Sequence, residues 1–175
     1  MNDLPLSRLY NLGRLGQAGD AVALETSEEE RAALAKVAEV LEVQKFAAHI
    51  VLKKLSPTHF EVHYDLMVEI IQACVVTLEP LAGCITRDFT RELHFTPNLR
   101  RALGEKEVII APGDEEVPEE IESLHYDLAV PLMEEFLLAI DPYPRAPGVA
   151  FVPPGEAEEP PESPFAALKG LKSGG

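Results

Sequence analysis

The two cysteines, Cys74 and Cys84, are the residues whose chemistry has to be decided first. A structural zinc site needs about four Cys or His ligands, usually in closely spaced pairs. No thiol follows Cys74 at such a spacing, because the next three residues are valine, valine and threonine. Apolar residues alternate from Phe60 to Val76, and this alternation turns Cys74 inward. We therefore predict that Cys74 is a small apolar residue of a sheet, and that the protein binds neither a metal nor another cofactor.

The histidines offer a second chemistry, that of a general base held by a carboxylate. His59, His63 and Asp65 fall at odd positions of one predicted strand and so share a face, and His125 and Asp127 precede a predicted helix. Such pairs occur in enzymes, and a nuclease-type enzyme is one hypothesis. The sequence has no GxSxG, no GxGxxG and no GxxxxGK[ST] motif, and we expect the protein not to be an enzyme.

Four arginines could instead contact RNA. Arg87 and Arg91 lie on a predicted strand beside aromatic residues, and Arg100 and Arg101 follow that strand. Guanidinium groups next to aromatic rings can hold phosphate and a stacked base. The favoured interpretation is that these arginines neutralise nearby glutamates at the surface.

The overall charge points away from nucleic acid. The 175 residues include 30 acidic and 15 basic side chains, for a formal net charge of −15. Phosphate binding depends on Lys and Arg, so we expect a basic protein partner and no DNA. No apolar run is long enough to span a membrane, and the start lacks the pattern of a secretory signal. We therefore expect a cytoplasmic protein without a membrane partner.

Several elements can be placed from hydrophobic periodicity. Ser27 and Glu30 form a capping box that begins a predicted helix over 28–41, and a second helix is predicted over 127–140. Strict alternation after His59, repeated around Phe89, predicts antiparallel strands joined by short turns. The predicted fold class is α+β, with an antiparallel sheet or partial barrel packed by these two helices.

The chain divides into three parts. Residues 1–142 are predicted to form a single α+β domain, 143–162 a disordered acidic, Pro-rich linker, and 163–175 a short docking helix with a tail. The helix is expected to bind a partner or to fold back on its own domain, and both alternatives stay open. The residues proposed for this contact are Pro164, Phe165, Leu168, Leu171 and Lys172.

Four segments together carry a family resemblance. In chain order they read "QACVVTLEPL", "FTRELHFTP", "DLAVPLMEEFLLAIDPYP" and "SPFAALKGLK". With an acidic stretch between the second and third, they resemble the YceD family of bacterial and chloroplast large ribosomal RNA subunit accumulation proteins, over about residues 5–172. Many members carry Cys-x-x-Cys in the first segment. Here Cys74 matches the first cysteine, Thr77 stands at the second, and Pro80 closes the motif.

The resemblance implies a role in ribosome biogenesis, in the synthesis, processing or accumulation of 23S rRNA. It supplies no catalytic residue, so the expected mode of action is binding. The expected partners are the large ribosomal subunit precursor or its basic proteins, with 23S rRNA as a further partner. Direct RNA binding through the arginines is the alternative.

Overall fold

The computed structural model describes residues 4–97 and 118–149. This part of the chain has an α+β fold with a five-stranded, mostly antiparallel sheet and a separate two-stranded ribbon. The strands of the large sheet lie in the order β2-β3-β4-β5-β6, and those of the ribbon in the order β1-β7. The elements are β1 (Leu9–Asn11), β2 (Asp20–Glu25), α1 (Glu28–Val37), β3 (Glu42–Lys54), β4 (His59–Ala73), β5 (Pro80–Phe95), β6 (Glu119–Ile121), β7 (His125–Asp127) and α2 (Ala129–Ala139).

Three long strands, β3, β4 and β5, form the centre of the sheet. Their sequences alternate apolar and polar residues, so each strand buries one face and leaves the other wet. In β4 every even-numbered residue from Phe60 to Ile70 is buried, which confirms the predicted alternation. The sheet is open, with β2 and β6 at its edges. Of the two predicted alternatives, the structure therefore has the sheet and not the partial barrel. β6 pairs with β5 in parallel, a pairing that periodicity alone did not predict.

Both helices cover the same face of the sheet. Ser27 and Glu30 form the predicted capping box at the start of α1. The helix ends at Val37, four positions before the predicted end, because Glu39 adopts a left-handed conformation (φ 54°) that turns the chain into β3.

The second helix begins two residues later than predicted. Asp127 ends β7, and its carboxylate accepts hydrogen bonds from the backbone N–H groups of Ala129 (3.0 Å) and Arg8 (2.7 Å). Asp127 therefore satisfies a free N–H of the first turn of α2, as an N-cap does, and also holds the N-terminal arm. Pro131 lies in that first turn, where proline is tolerated.

The core lies between the sheet and the helices. Phe46 of β3 meets Phe136 of α2 edge to face, with ring centroids 5.7 Å apart. Tyr64 of β4 stacks on Phe89 of β5 at 4.8 Å. Within the two described ranges, no helix is long and apolar enough to cross a membrane.

Candidate binding surfaces

The turn between β4 and β5 carries the motif residues Cys74, Thr77 and Pro80. Its backbone closes through hydrogen bonds from the Cys74 N–H to the Glu79 carbonyl and from the Leu78 N–H to the Cys74 carbonyl, both 2.9 Å. Leu78 has a positive φ of 61°, which few residues other than glycine adopt. Pro80 opens β5, a position where a strand tolerates the missing N–H. The motif therefore folds into a turn of defined shape.

The sulfur of Cys74 is buried and hydrogen-bonded. It accepts from the backbone N–H groups of Thr77 at 3.5 Å and of Ala146 at 3.4 Å. The Thr77 side chain, followed by these backbone groups, lowers the pKa of Cys74 to about 6, against the opposing effect of burial. The predicted burial of Cys74 is confirmed, but its predicted place in a strand is wrong, because β4 ends at Ala73 and Cys74 begins the turn. Thr77, at the position of the family's second cysteine, contacts this sulfur through hydrogen bonds.

The segment after α2 returns to the same turn. Besides the Ala146 contact, the Val75 N–H donates to the Pro144 carbonyl at 2.9 Å. Pro144 and Ala146, at the beginning of the predicted linker, thus contact the motif turn, and residues 150–162 of that linker lie outside the described residues.

Cys84 lies apart from Cys74, and both cysteines are free thiols. Cys84 is exposed on β5, opposite Glu69. Across residues 4–97 and 118–149, no group of three or more Cys, His, Asp or Glu side chains is placed to hold a metal ion.

The predicted arginine cluster is split by the structure. Arg87, Phe89 and Arg91 share the helix-covered face of β5, since they lie opposite inward residues of β4. Arg91 lies 3.5 Å from both Glu134 and Glu135 of α2, and its guanidinium carbon is 5.9 Å from the Phe89 ring centroid. Arg91 therefore neutralises glutamates, as the favoured interpretation holds.

Among the described residues, Arg87 forms no such ion pair. Arg87 is exposed and donates to the neighbouring Thr86 carbonyl at 3.0 Å. Arg100 and Arg101 lie outside the described residues.

The histidines of β4 lie on the uncovered face of the sheet, as their odd numbers predicted. His63 is 3.2 Å from the Thr90 hydroxyl and 3.4 Å from Asp88, and His59 is 3.2 Å from Glu92. His125 contacts Asn11 in the separate ribbon. His63 faces Thr90, and Cys84 lies six residues before Thr90 on β5. This separation of about 20 Å is too large for Cys84 and His63 to act as a catalytic pair.

The uncovered side of the sheet, here called the open sheet face, is mainly acidic. Its acidic side chains come from β2, β4, β5 and β6, whereas its lysines come from β3 alone. The acidic residues are Glu25, Glu61, Asp65, Glu69, Asp88, Glu92 and Glu120, and the basic ones are Lys45 and Lys53, with His49, His59, His63 and His94 between them.

Two pairs of carboxylates on this face stand directly opposite each other across β4 and β5. Asp65 faces Asp88, and Glu61 faces Glu92. Lys53 relieves one of them with a 2.6 Å ion pair to Glu61. His63 lies 3.4 Å from Asp88 and His59 lies 3.2 Å from Glu92. Apart from these contacts, like charges directly opposite in a sheet are destabilising. These opposed pairs could not be predicted from the sequence, because they appear only when β4 and β5 are placed in register.

A groove between α1 and α2 is the second surface that the sequence did not reveal. This helix groove has a volume of about 220 Å³ and an almost entirely apolar lining that includes Leu4, Leu34, Val130, Met133 and Leu137. It joins a wider cleft of about 460 Å³ beside the motif turn, here called the turn cleft, because Val37 and Leu137 line both. Both helices had been predicted, but the gap between them depends on how they pack.

The C-terminal residues proposed for partner binding, Pro164, Phe165, Leu168, Leu171 and Lys172, lie outside the described residues. A scan against models of protein families and searches of curated proteins and of solved structures return no match to this chain. The likeness to the YceD family therefore rests on the quoted segments alone.

Proposed function

We propose that this protein is a ribosome biogenesis factor that supports the synthesis, processing or accumulation of large-subunit 23S rRNA by binding rather than by catalysis. The proposal begins from the resemblance to the YceD family. It is supported by the defined turn around Cys74, Thr77 and Pro80, which is one of the segments that carry the resemblance and on which the chain after α2 packs. On this proposal the protein acts in the cytoplasm.

The partner is a basic protein of the large subunit precursor, and the open sheet face binds it. The observation that carries this proposal is the two pairs of opposed carboxylates, Asp65 with Asp88 and Glu61 with Glu92. A lysine or arginine side chain placed between two such carboxylates removes their repulsion and adds attraction. Ribosomal proteins bind RNA through Lys and Arg, and a complementary acidic surface speeds association with such proteins and selects them.

Direct RNA binding is the less supported alternative. An acidic sheet face repels phosphate, and the formal net charge of the chain is −15. Arg91 is already engaged with two glutamates, which leaves Arg87 as the exposed arginine of β5.

A pull-down of the tagged full-length protein, made with and without RNase, tests the proposal. We expect a basic large-subunit protein to remain bound after RNase treatment. The double variant Asp65→Asn/Asp88→Asn should reduce its recovery several-fold, because the repulsion that binding relieves is gone. The matched control is Glu28→Gln/Glu29→Gln, which removes two carboxylates from the exposed first turn of α1 on the other side of the sheet.

One outcome would contradict the proposed binding surface. If large-subunit rRNA is recovered, all proteins are lost with RNase, and the Asp65→Asn/Asp88→Asn variant binds as well as the wild type, then the open sheet face is not the binding surface. An Arg87→Gln variant would then be compared with the wild type for RNA recovery and for its dependence on salt.

A further inference from the structure

We propose that the helix groove is the docking site of the chain's own C-terminal segment, residues 163–172, with the side chains of Phe165, Leu168 and Leu171 entering the groove. This inference concerns the opposite side of the sheet from the open sheet face. It stands independently of the proposed function.

The groove has the shape and surface that an amphipathic segment requires. It lies between α1 and α2, and its lining is nearly all apolar. Val37 and Leu137, which border both the helix groove and the turn cleft, are 54% and 42% exposed although they face other apolar residues. An apolar groove between helices typically binds residues spaced three or four apart on one helix face. Phe165, Leu168 and Leu171 have this spacing.

The charges of the segment and of the groove are complementary. Residues 163–175 contain Lys169 and Lys172 and no acidic residue, in a chain that is otherwise strongly acidic. The borders of the two clefts carry Glu39, Glu134 and Asp141. A basic segment is therefore attracted to this region, whereas the acidic segments of the chain are not attracted to it.

The course of the chain favours an occupant from the same molecule. The described part ends at Val149, just after Pro144 and Ala146 contact the turn beside the turn cleft. Residues 150–162 connect this point to the segment, and a Pro-rich stretch of that length, at ~3.1 Å per residue, reaches up to roughly 40 Å. A tether that spans the distance gives an effective concentration on the order of millimolar, so a contact with a dissociation constant well below that concentration is occupied most of the time.

A single tryptophan reports on this contact in the full-length protein. The chain contains no tryptophan, so Phe165→Trp provides the only indole signal. We expect blue-shifted emission and several-fold weaker quenching by acrylamide than for a free indole. Both properties should be independent of dilution, because the contact forms within one molecule.

Variants on both sides of the contact make the test specific. Leu137→Lys, introduced into the Phe165→Trp protein, places a charge in the groove and should expose the indole. Leu138→Lys is the matched control, because Leu138 is the next residue of α2, is 81% exposed and lines neither cleft. Leu168→Ser should also expose the indole, and it lies outside α1, α2 and the sheet, so it leaves the groove intact if Leu137→Lys disturbs folding.

Three results would overturn the proposal. The first is an indole as accessible as free tryptophan in the parent protein. The second is equal exposure by Leu137→Lys and Leu138→Lys, which would place the segment elsewhere. The third is loss of protection on dilution, which would show that the occupant comes from a second copy of the chain.

Discussion

The two faces of the central sheet are made by the same three strands and have opposite physical characters. On the helix-covered face, the even-numbered side chains of β4 from Phe60 to Ile70 are all buried. On the open sheet face, the neighbouring odd-numbered side chains of β4 are mainly charged or histidine, and Asp65 opposes Asp88. One face is optimised for packing, whereas the other retains repulsion that folding does not require. The difference indicates that stability is determined mainly on the covered face, and the open sheet face is the surface proposed here for binding.

The largest expected effect comes from the covered face. Phe136→Ala removes a fully buried ring that packs edge to face on Phe46, and should lower the free energy of unfolding by about 3–5 kcal/mol. Urea unfolding followed by circular dichroism measures this change. Leu138→Ala in the same helix is the control and should change it by no more than about 0.5 kcal/mol, because Leu138 is exposed. Equal losses in the two variants would contradict the proposed location of the core.

A smaller effect is expected where the covered face meets solvent. Arg91→Ala removes ion pairs to Glu134 and Glu135 and the contact with the Phe89 ring. At this partly exposed site, the loss should be on the order of 1 kcal/mol. Arg87→Ala, on the same face of β5, should stay within about 0.5 kcal/mol. If urea unfolding showed the same loss of unfolding free energy for Arg87→Ala as for Arg91→Ala, the described difference between the exposed Arg87 and the ion-paired Arg91 would be contradicted.

The open sheet face should respond with the opposite sign. Asp88→Asn removes the repulsion from Asp65 and should raise the free energy of unfolding by about 0.2–1 kcal/mol. The control is Glu29→Gln in the first turn of α1, where the helix dipole favours the carboxylate, so this variant should lose a few tenths of a kcal/mol. Thermal unfolding of both proteins in low salt provides the comparison. A clear loss of stability in Asp88→Asn would refute the repulsion.

The motif turn joins β4 to β5 at one end of the sheet. Its expected effect is gradual, because the free energy of unfolding should change with pH. The pKa of Cys74 falls from about 9 to about 6 on folding, so the native protein binds fewer protons than the unfolded chain between these values. This stabilisation is complete above about pH 9 and is lost as the pH falls towards 6.

Measurements of unfolding free energy across this range should therefore show a rise with pH that is absent in Cys74→Ser. Thr77→Val removes the hydroxyl group that lowers the pKa most, and should move the thiol titration, followed by absorbance in a Cys84→Ser background, to higher pH. An unchanged titration in Thr77→Val would show that the hydroxyl does not act on the sulfur.

The buried residues of the covered face could be predicted from the sequence, because burial in a strand follows the alternation of apolar and polar residues. Alternation placed the inward residues of β4, and a local capping box placed the start of α1. The end of α1 was shifted by the left-handed conformation of Glu39, and the start of α2 by a contact distant in sequence. Asp127 holds Arg8, more than a hundred residues away, and no local pattern contains that information.

The candidate binding surfaces could be predicted only in part. The burial of Cys74 was predicted correctly from strand parity, although β4 ends at Ala73 and Cys74 lies in the turn after it. Its hydrogen bond from Ala146 was not predicted, because that contact requires the chain to return after α2. Arg87 and Arg91 were correctly placed on one face, yet the glutamates of α2 that engage Arg91 depend on packing. The opposed carboxylates needed the register of β4 on β5, which no single strand encodes.

The most direct test of the central claim is the ratio of 23S to 16S rRNA in cells that lack this protein and in cells complemented with defined variants. The account predicts that the ratio falls without the protein and is restored by the wild type and by Glu28→Gln/Glu29→Gln. Asp65→Asn/Asp88→Asn, although expressed and folded, should fail to restore it. An unchanged ratio in cells without the protein would contradict a role in 23S rRNA accumulation, and full restoration by Asp65→Asn/Asp88→Asn would contradict the assignment of binding to the open sheet face.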